Sequence, residues 1–178
     1  MNSDIEFQAV IPELLHDLPL TAADKNILVE FGFLGWVAPH LYFGSFEDDE
    51  IFPELINWSW LSDWGCSKAL GKYKCWLVIG SGPNGQPLLV EPNNSSVYIL
   101  SASLELSILS SNFQNLYNVA SAFMDMVNCA IEIDDNAFIE KRIPRDLVTK
   151  FVSTLHSYED CLNGLSIWEK WANERTHL

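Results

Sequence analysis

Apolar residues recur with helical spacing most clearly in the third quarter of the chain. Phe113, Leu116, Val119, Ala120, Phe123, Met126 and Val127 fall at i, i+3, i+4 and i+7 behind Asn112, which predicts one long amphipathic helix. Upstream the apolar runs shorten and turn chemistry punctuates them. Residues 74–80 and 87–91 flank Pro83-Asn84-Gly85, where proline presets φ and Asn-Gly tolerates positive φ, so a β-hairpin is predicted. Asn93-Asn94-Ser95-Ser96 forms a second turn, Val97-Tyr98-Ile99-Leu100 a third strand, and residues 104–109 a fourth, as in a meander. Nearer the N-terminus, Thr21 is placed to cap a helix over 22–31, with Asp24 in its first turn and Gly32 as its stop. Leu41-Tyr42-Phe43 reads as a strand. Pro144 opens a helix over 145–156 with Leu147, Phe151 and Leu155 on one face, and a last helix near 166–175 sets Trp168 and Trp171 one turn apart. Strands followed by helices indicate an α+β fold.

The hairpin reading decides a second question. Gly80, Gly82 and Gly85 spell G-x-G-x-x-G, a dinucleotide fingerprint only when a helix follows and offers its free amides to a pyrophosphate. Here Gln86-Pro87-Leu88-Leu89-Val90-Glu91-Pro92 follows. Two prolines and a β-branched residue make that a strand, so no nucleotide site is assigned.

Composition narrows the class. The 178 residues show no repeat or linker, and are read as one domain long enough to bury a core without disulfides. No apolar run approaches the length of a membrane span, and the opening Met-Asn-Ser-Asp-Ile-Glu is acidic where a secretory signal is basic. A cytoplasmic protein is expected. Cys66, Cys75, Cys129 and Cys161 lack C-x-x-C spacing and are expected to be buried reduced thiols. The four histidines are scattered, and there is no G-x-S-x-G, H-E-x-x-H or P-loop. No catalytic, cofactor-binding or metal-binding residue is assigned. A carboxylate pair, or Cys66 meeting a histidine in space, stays open as the enzymatic alternative.

Charge then separates the two ends. Residues 1–67 hold twelve acids against Lys25, a balance of −11, within a chain total of −14. That distribution argues against nucleic acid or anionic membrane as a direct partner and fits a basic protein. The acids peak at Glu47, Asp48, Asp49 and Glu50, which lack the alternation and glycine of a calcium loop. Just beyond lie Glu54, Trp58, Trp60, Asp63 and Trp64, with Trp58 and Trp60 spaced to share one strand face. Two readings stand together: a solvated loop beside tryptophans that cover a sheet, or a partner-binding surface formed by these nine residues.

Several short motifs, in order, resemble the SUKH superfamily, whose bacterial members are largely immunity proteins of polymorphic toxin systems and whose fungal members include Smi/Knr-like regulators. They are Leu18-Pro19 with the helix to Phe31-Gly32; Ile79-Gly80, Gly85, Leu88-Leu89 and Val97-Tyr98; Val119-Ala120-Ser121-Ala122-Phe123-Met124; and Ser166-Ile167-Trp168-Glu169. The tryptophan-rich stretch 44–72 is longer than the family pattern. The resemblance implies a curved, mostly antiparallel sheet flanked by helices, with a core over about 18–131 and a helical extension over 136–178. It also implies a non-enzymatic binding protein: an immunity protein that occludes the basic surface of a cognate toxin, such as a nuclease or nucleic-acid deaminase. A regulatory scaffold with an endogenous partner is the alternative that the fungal members imply.

Overall fold

The long periodic stretch is one helix, α4 (Phe113–Ile133), and Asn112 caps it by accepting from the amide of Asn115 at 2.8 Å. The computed structural model describes residues 7–37, 41–44, 52–64, 70–158 and 167–176. Its other elements in chain order are β1 (Phe7–Gln8), α1 (Pro12–Leu15), α2 (Ala22–Phe31), β2 (Phe33–Leu34), β3 (Trp36–Val37), β4 (Leu41–Phe43), α3 (Leu61–Trp64), β5 (Leu77–Ser81), β6 (Pro87–Val90), β7 (Val97–Leu100), β8 (Leu106–Ser110), α5 (Arg145–Tyr158) and α6 (Ile167–Glu174). Short 3-10 turns occupy Leu55–Asn57 and Gly71–Cys75.

Strands β3 to β8 form one antiparallel six-stranded sheet in sequence order, and β1 pairs separately with β2. The sheet curls, and the fold is α+β, as the pattern of strands before helices predicts. Alternation along each strand feeds both faces. Leu77, Ile79, Leu88, Val90, Val97, Ile99 and Leu109 join the main core with residues of α2, α4, α5 and α6. Val78, Leu89 and Leu100 point the other way, into a second, smaller core with Leu55, Trp58, Leu61, Leu70 and Trp76. A strand with both faces buried reads as a continuous apolar run, which is the pattern of Leu77-Val78-Ile79 and Leu88-Leu89-Val90.

The glycines of the supposed fingerprint have separate local duties. A β-carbon on Gly80 would stand 2.0 Å from the Tyr42 carbonyl oxygen, so only glycine lets β5 bulge and still pair with β4. Gly85 adopts φ +70° in the hairpin turn. No helix follows, and β6 begins at Pro87.

The C-terminal helices complete the main core. Trp168 of α6 is fully buried, packs on Phe123 at 5.4 Å between ring centroids, and donates its indole N–H to the Leu109 carbonyl at 2.9 Å. Among the described residues every buried polar side-chain atom is paired, as burial away from water requires. Asp24 in the first turn of α2 accepts from Ser95 Oγ at 2.7 Å and Thr21 Oγ1 at 2.5 Å, and the Asn93 amide donates to the Pro19 carbonyl at 2.7 Å. Those bonds tie the start of α2 to the β6–β7 turn. The Tyr117 hydroxyl donates to the Gly32 carbonyl. Burial pushes its phenol above the usual range, while a backbone hydrogen bond at Leu34 pulls it back.

Three expectations are corrected. The hairpin starts at Leu77 and not at residue 74, because Gly71–Cys75 winds into a 3-10 turn. Trp58 and Trp60 lie on no strand: they follow a 3-10 turn and precede α3, so alternation does not set their faces. Cys75 and Cys129 are exposed rather than buried. Cys66 and Cys161 lie outside the described residues.

Candidate partner-binding surface

The surface singled out by charge and tryptophan content is the outer layer over the second core. It is laid down by the chain that leaves and rejoins β5. The Gly44 amide donates to the Ile79 carbonyl at 2.9 Å, and the Val78 amide donates to the Pro53 carbonyl at 2.8 Å. Glu54 forms an isolated bridge with Leu77, and the Leu55 amide donates to the Trp76 carbonyl at 2.8 Å. Both ends of the stretch that carries the acidic run are therefore pinned on neighbouring positions of one strand. Glu47, Asp48, Asp49 and Glu50 themselves lie outside the described residues. Phe52, at the returning end, is buried against Phe33 with ring centroids 4.7 Å apart, edge to face, and anchors the layer in the main core.

The remaining candidates divide by burial. Trp58 is only 6% exposed and packs in the second core, so it is a sheet-covering residue and not a surface contact. Trp60 is 43% exposed and stacks on Trp58 with centroids 6.4 Å apart. Ile56, which sequence reasoning did not single out, is 47% exposed on the same layer. Its only signal was proximity to Trp58 and Trp60. Glu54 is half-buried beside them, and Asp63 and Trp64 close α3. The described part of this layer is not uniformly acidic, for Lys72 and Lys74 lie on the 3-10 turn that supports it, Lys72 over the Tyr73 ring at 5.2 Å.

Beneath the layer, aromatic packing fixes the platform. Tyr73 meets Trp76 edge to face at 5.1 Å, and Trp76 meets Tyr98 of β7 at 5.4 Å. An exposed tryptophan stacked on a packed aromatic base loses less side-chain freedom when a partner covers it than an unsupported one would, and tryptophan is enriched at binding hot spots.

Elsewhere, His156 of α5 sits 3.6 Å from the Glu169 carboxylate of α6, on the helical side. Among the described residues no group of three His, Cys, Asp or Glu side chains is placed to hold a metal ion, and no helix is long and apolar enough to cross a membrane. No protein-family model, curated protein or solved structure matches the chain.

Proposed function

We propose that this protein is a binding module of the immunity-protein type, which neutralises a basic cognate toxin domain by covering its substrate surface. The observation that carries the reading is the outer layer over the second core. It presents Trp60 and Ile56 on a packed aromatic base, next to the two pinned ends of a stretch whose sequence holds four consecutive acids. Apolar anchors beside a charged stretch divide the work of association. Charge raises the rate of encounter, and burial of the anchors slows dissociation. The resemblance to SUKH proteins and the −11 balance of residues 1–67 support the same reading.

The test begins with affinity capture from the native cell at low and moderate salt, then measures binary binding of the captured polypeptide after purification. Replacing Glu47, Asp48, Asp49 and Glu50 by their amides is expected to slow association about tenfold and to flatten its dependence on ionic strength. Trp60→Ala is expected to raise the dissociation rate about tenfold or more, with association little changed. Wild-type rates and salt slopes in the amide variant, together with wild-type dissociation in Trp60→Ala, would overturn the reading.

A further inference from the structure

On the opposite side of the molecule, a cleft of about 310 Å³ opens between α6 and the β5–β6 turn. Its floor is formed by Ile99 and Phe123 of the main core, and one wall is the half-buried Trp171, held edge to face against Trp168 at 5.4 Å. Donors gather at its rim. Lys170 and Arg175 both line it, in a chain that has only 10 lysines and arginines against 24 acids. Arg175 is oriented by one bond, from Nη1 to the Phe138 carbonyl at 3.2 Å, and by the Phe138 ring 4.5 Å beneath its guanidinium. Its other N–H groups form no ion pair with any carboxylate among the described residues. Gln86 uses its Oε1 to accept from the Asn84 amide at 3.1 Å, which leaves Nε2 as a donor. The one acid among the described residues that line the cleft, Glu174, lies 3.9 Å from Lys170 with both side chains well exposed, a contact that solvent screens.

We propose that this cleft binds a small carboxylate whose flat apolar body lies against Trp171 while the carboxylate meets Lys170, Arg175 and Gln86. The volume suits a ligand of modest size, and an apolar floor with a few convergent polar groups is the general form of such a site. Charge-assisted bonds to a guanidinium and an ammonium give the carboxylate its orientation. Two sources share this chemistry: a free aromatic or aliphatic acid, and the C-terminal residue of a polypeptide. The proposal is independent of the toxin-binding reading, since it uses none of the same residues.

The test is a titration of the full chain, followed through the Trp171 indole N–H resonance, with phenylacetate and with acetyl-Gly-Gly-Phe bearing a free C-terminus. Phenylacetamide and the peptide amide serve as neutral controls. Saturable shifts with an acid, and binding about tenfold weaker for its amide, are expected. The exposed Lys170→Gln is expected to weaken binding of the acid by a similar factor while leaving the fold intact, and Arg175→Lys to weaken it less. Preference for phenylacetate identifies a free acid as the source, and preference for the peptide identifies a chain terminus. The absence of a saturable shift with either acid, amides that bind as well as acids, or acid binding unchanged in Lys170→Gln would each overturn the proposal.

Discussion

The two faces of the sheet are built differently although the same strands feed both. On one face, Leu77, Ile79, Leu88, Val90, Val97 and Ile99 meet regular helices, and the contacts continue through Phe123 to Phe151 and Trp168. On the other, Val78, Leu89 and Leu100 meet irregular chain that hangs from β5 by short 3-10 turns and a four-residue helix. Repeating backbone hydrogen bonds hold the helical layer in shape, whereas the second layer depends on aromatic packing and on its attachment to β5. The fold therefore keeps its larger core on one side of the sheet and a small, locally packed platform on the other.

Removing one aromatic anchor from each core separates their contributions to stability. Phe123→Ala removes a ring that touches both Phe151 and Trp168 in the middle of the main core, and is expected to lower the unfolding free energy by about 4–5 kcal/mol in denaturant titrations. Trp58→Ala, in the smaller core near the surface, is expected to cost about 3 kcal/mol, with amide exchange accelerated chiefly over 53–61 and 70–76. Equal acceleration throughout α4 would show that the two cores open as one unit. Gly80→Ala attacks the strand that both layers share. A β-carbon there meets the Tyr42 carbonyl oxygen at 2.0 Å, so a loss of about 2–3 kcal/mol is expected, with exchange accelerated at the β4–β5 pairing.

Legibility followed the same division. The helical face was readable because α4 writes its contacts at i, i+3, i+4 and i+7, and Asn112 and Thr21 cap their helices as the sequence predicts. The meander was readable from the turn residues at 83–85 and 93–96, which separate β5, β6 and β7. The two-residue strands β1, β2 and β3 were missed, because pairings that short leave no period in the sequence. The second layer was legible only as an aromatic cluster. Trp58 and Trp60 are two residues apart, yet one is buried and the other exposed, and this depends on the turn at Leu55–Asn57 and not on alternation. The cleft beside α6 is not legible in the sequence because Gln86 and Asn84 come to line it with Lys170 and Arg175 only through the fold.

The smallest expected effect lies on the helical side, where Tyr117 is buried with its phenol pKa raised. In the unfolded chain this phenol ionises near pH 10, while in the folded chain it stays protonated to higher pH. Stability is therefore unaffected by this group below about pH 10 and falls as pH rises beyond it, by up to about 1.4 kcal/mol per pH unit. Tyr117→Phe lacks that slope. Denaturant midpoints at pH 9 and 11 are expected to converge toward those of the variant at the higher pH; a constant difference would show that burial does not govern this phenol.

The most direct test of the binding account is the hydrogen-exchange footprint of the captured basic polypeptide on this chain. Protection is expected over residues 53–64, the layer that exposes Ile56 and Trp60, with α4, α5 and α6 left at their free rates. Protection confined to α4, α5 and α6, with residues 53–64 unchanged, would contradict it and move the partner to the opposite side of the sheet.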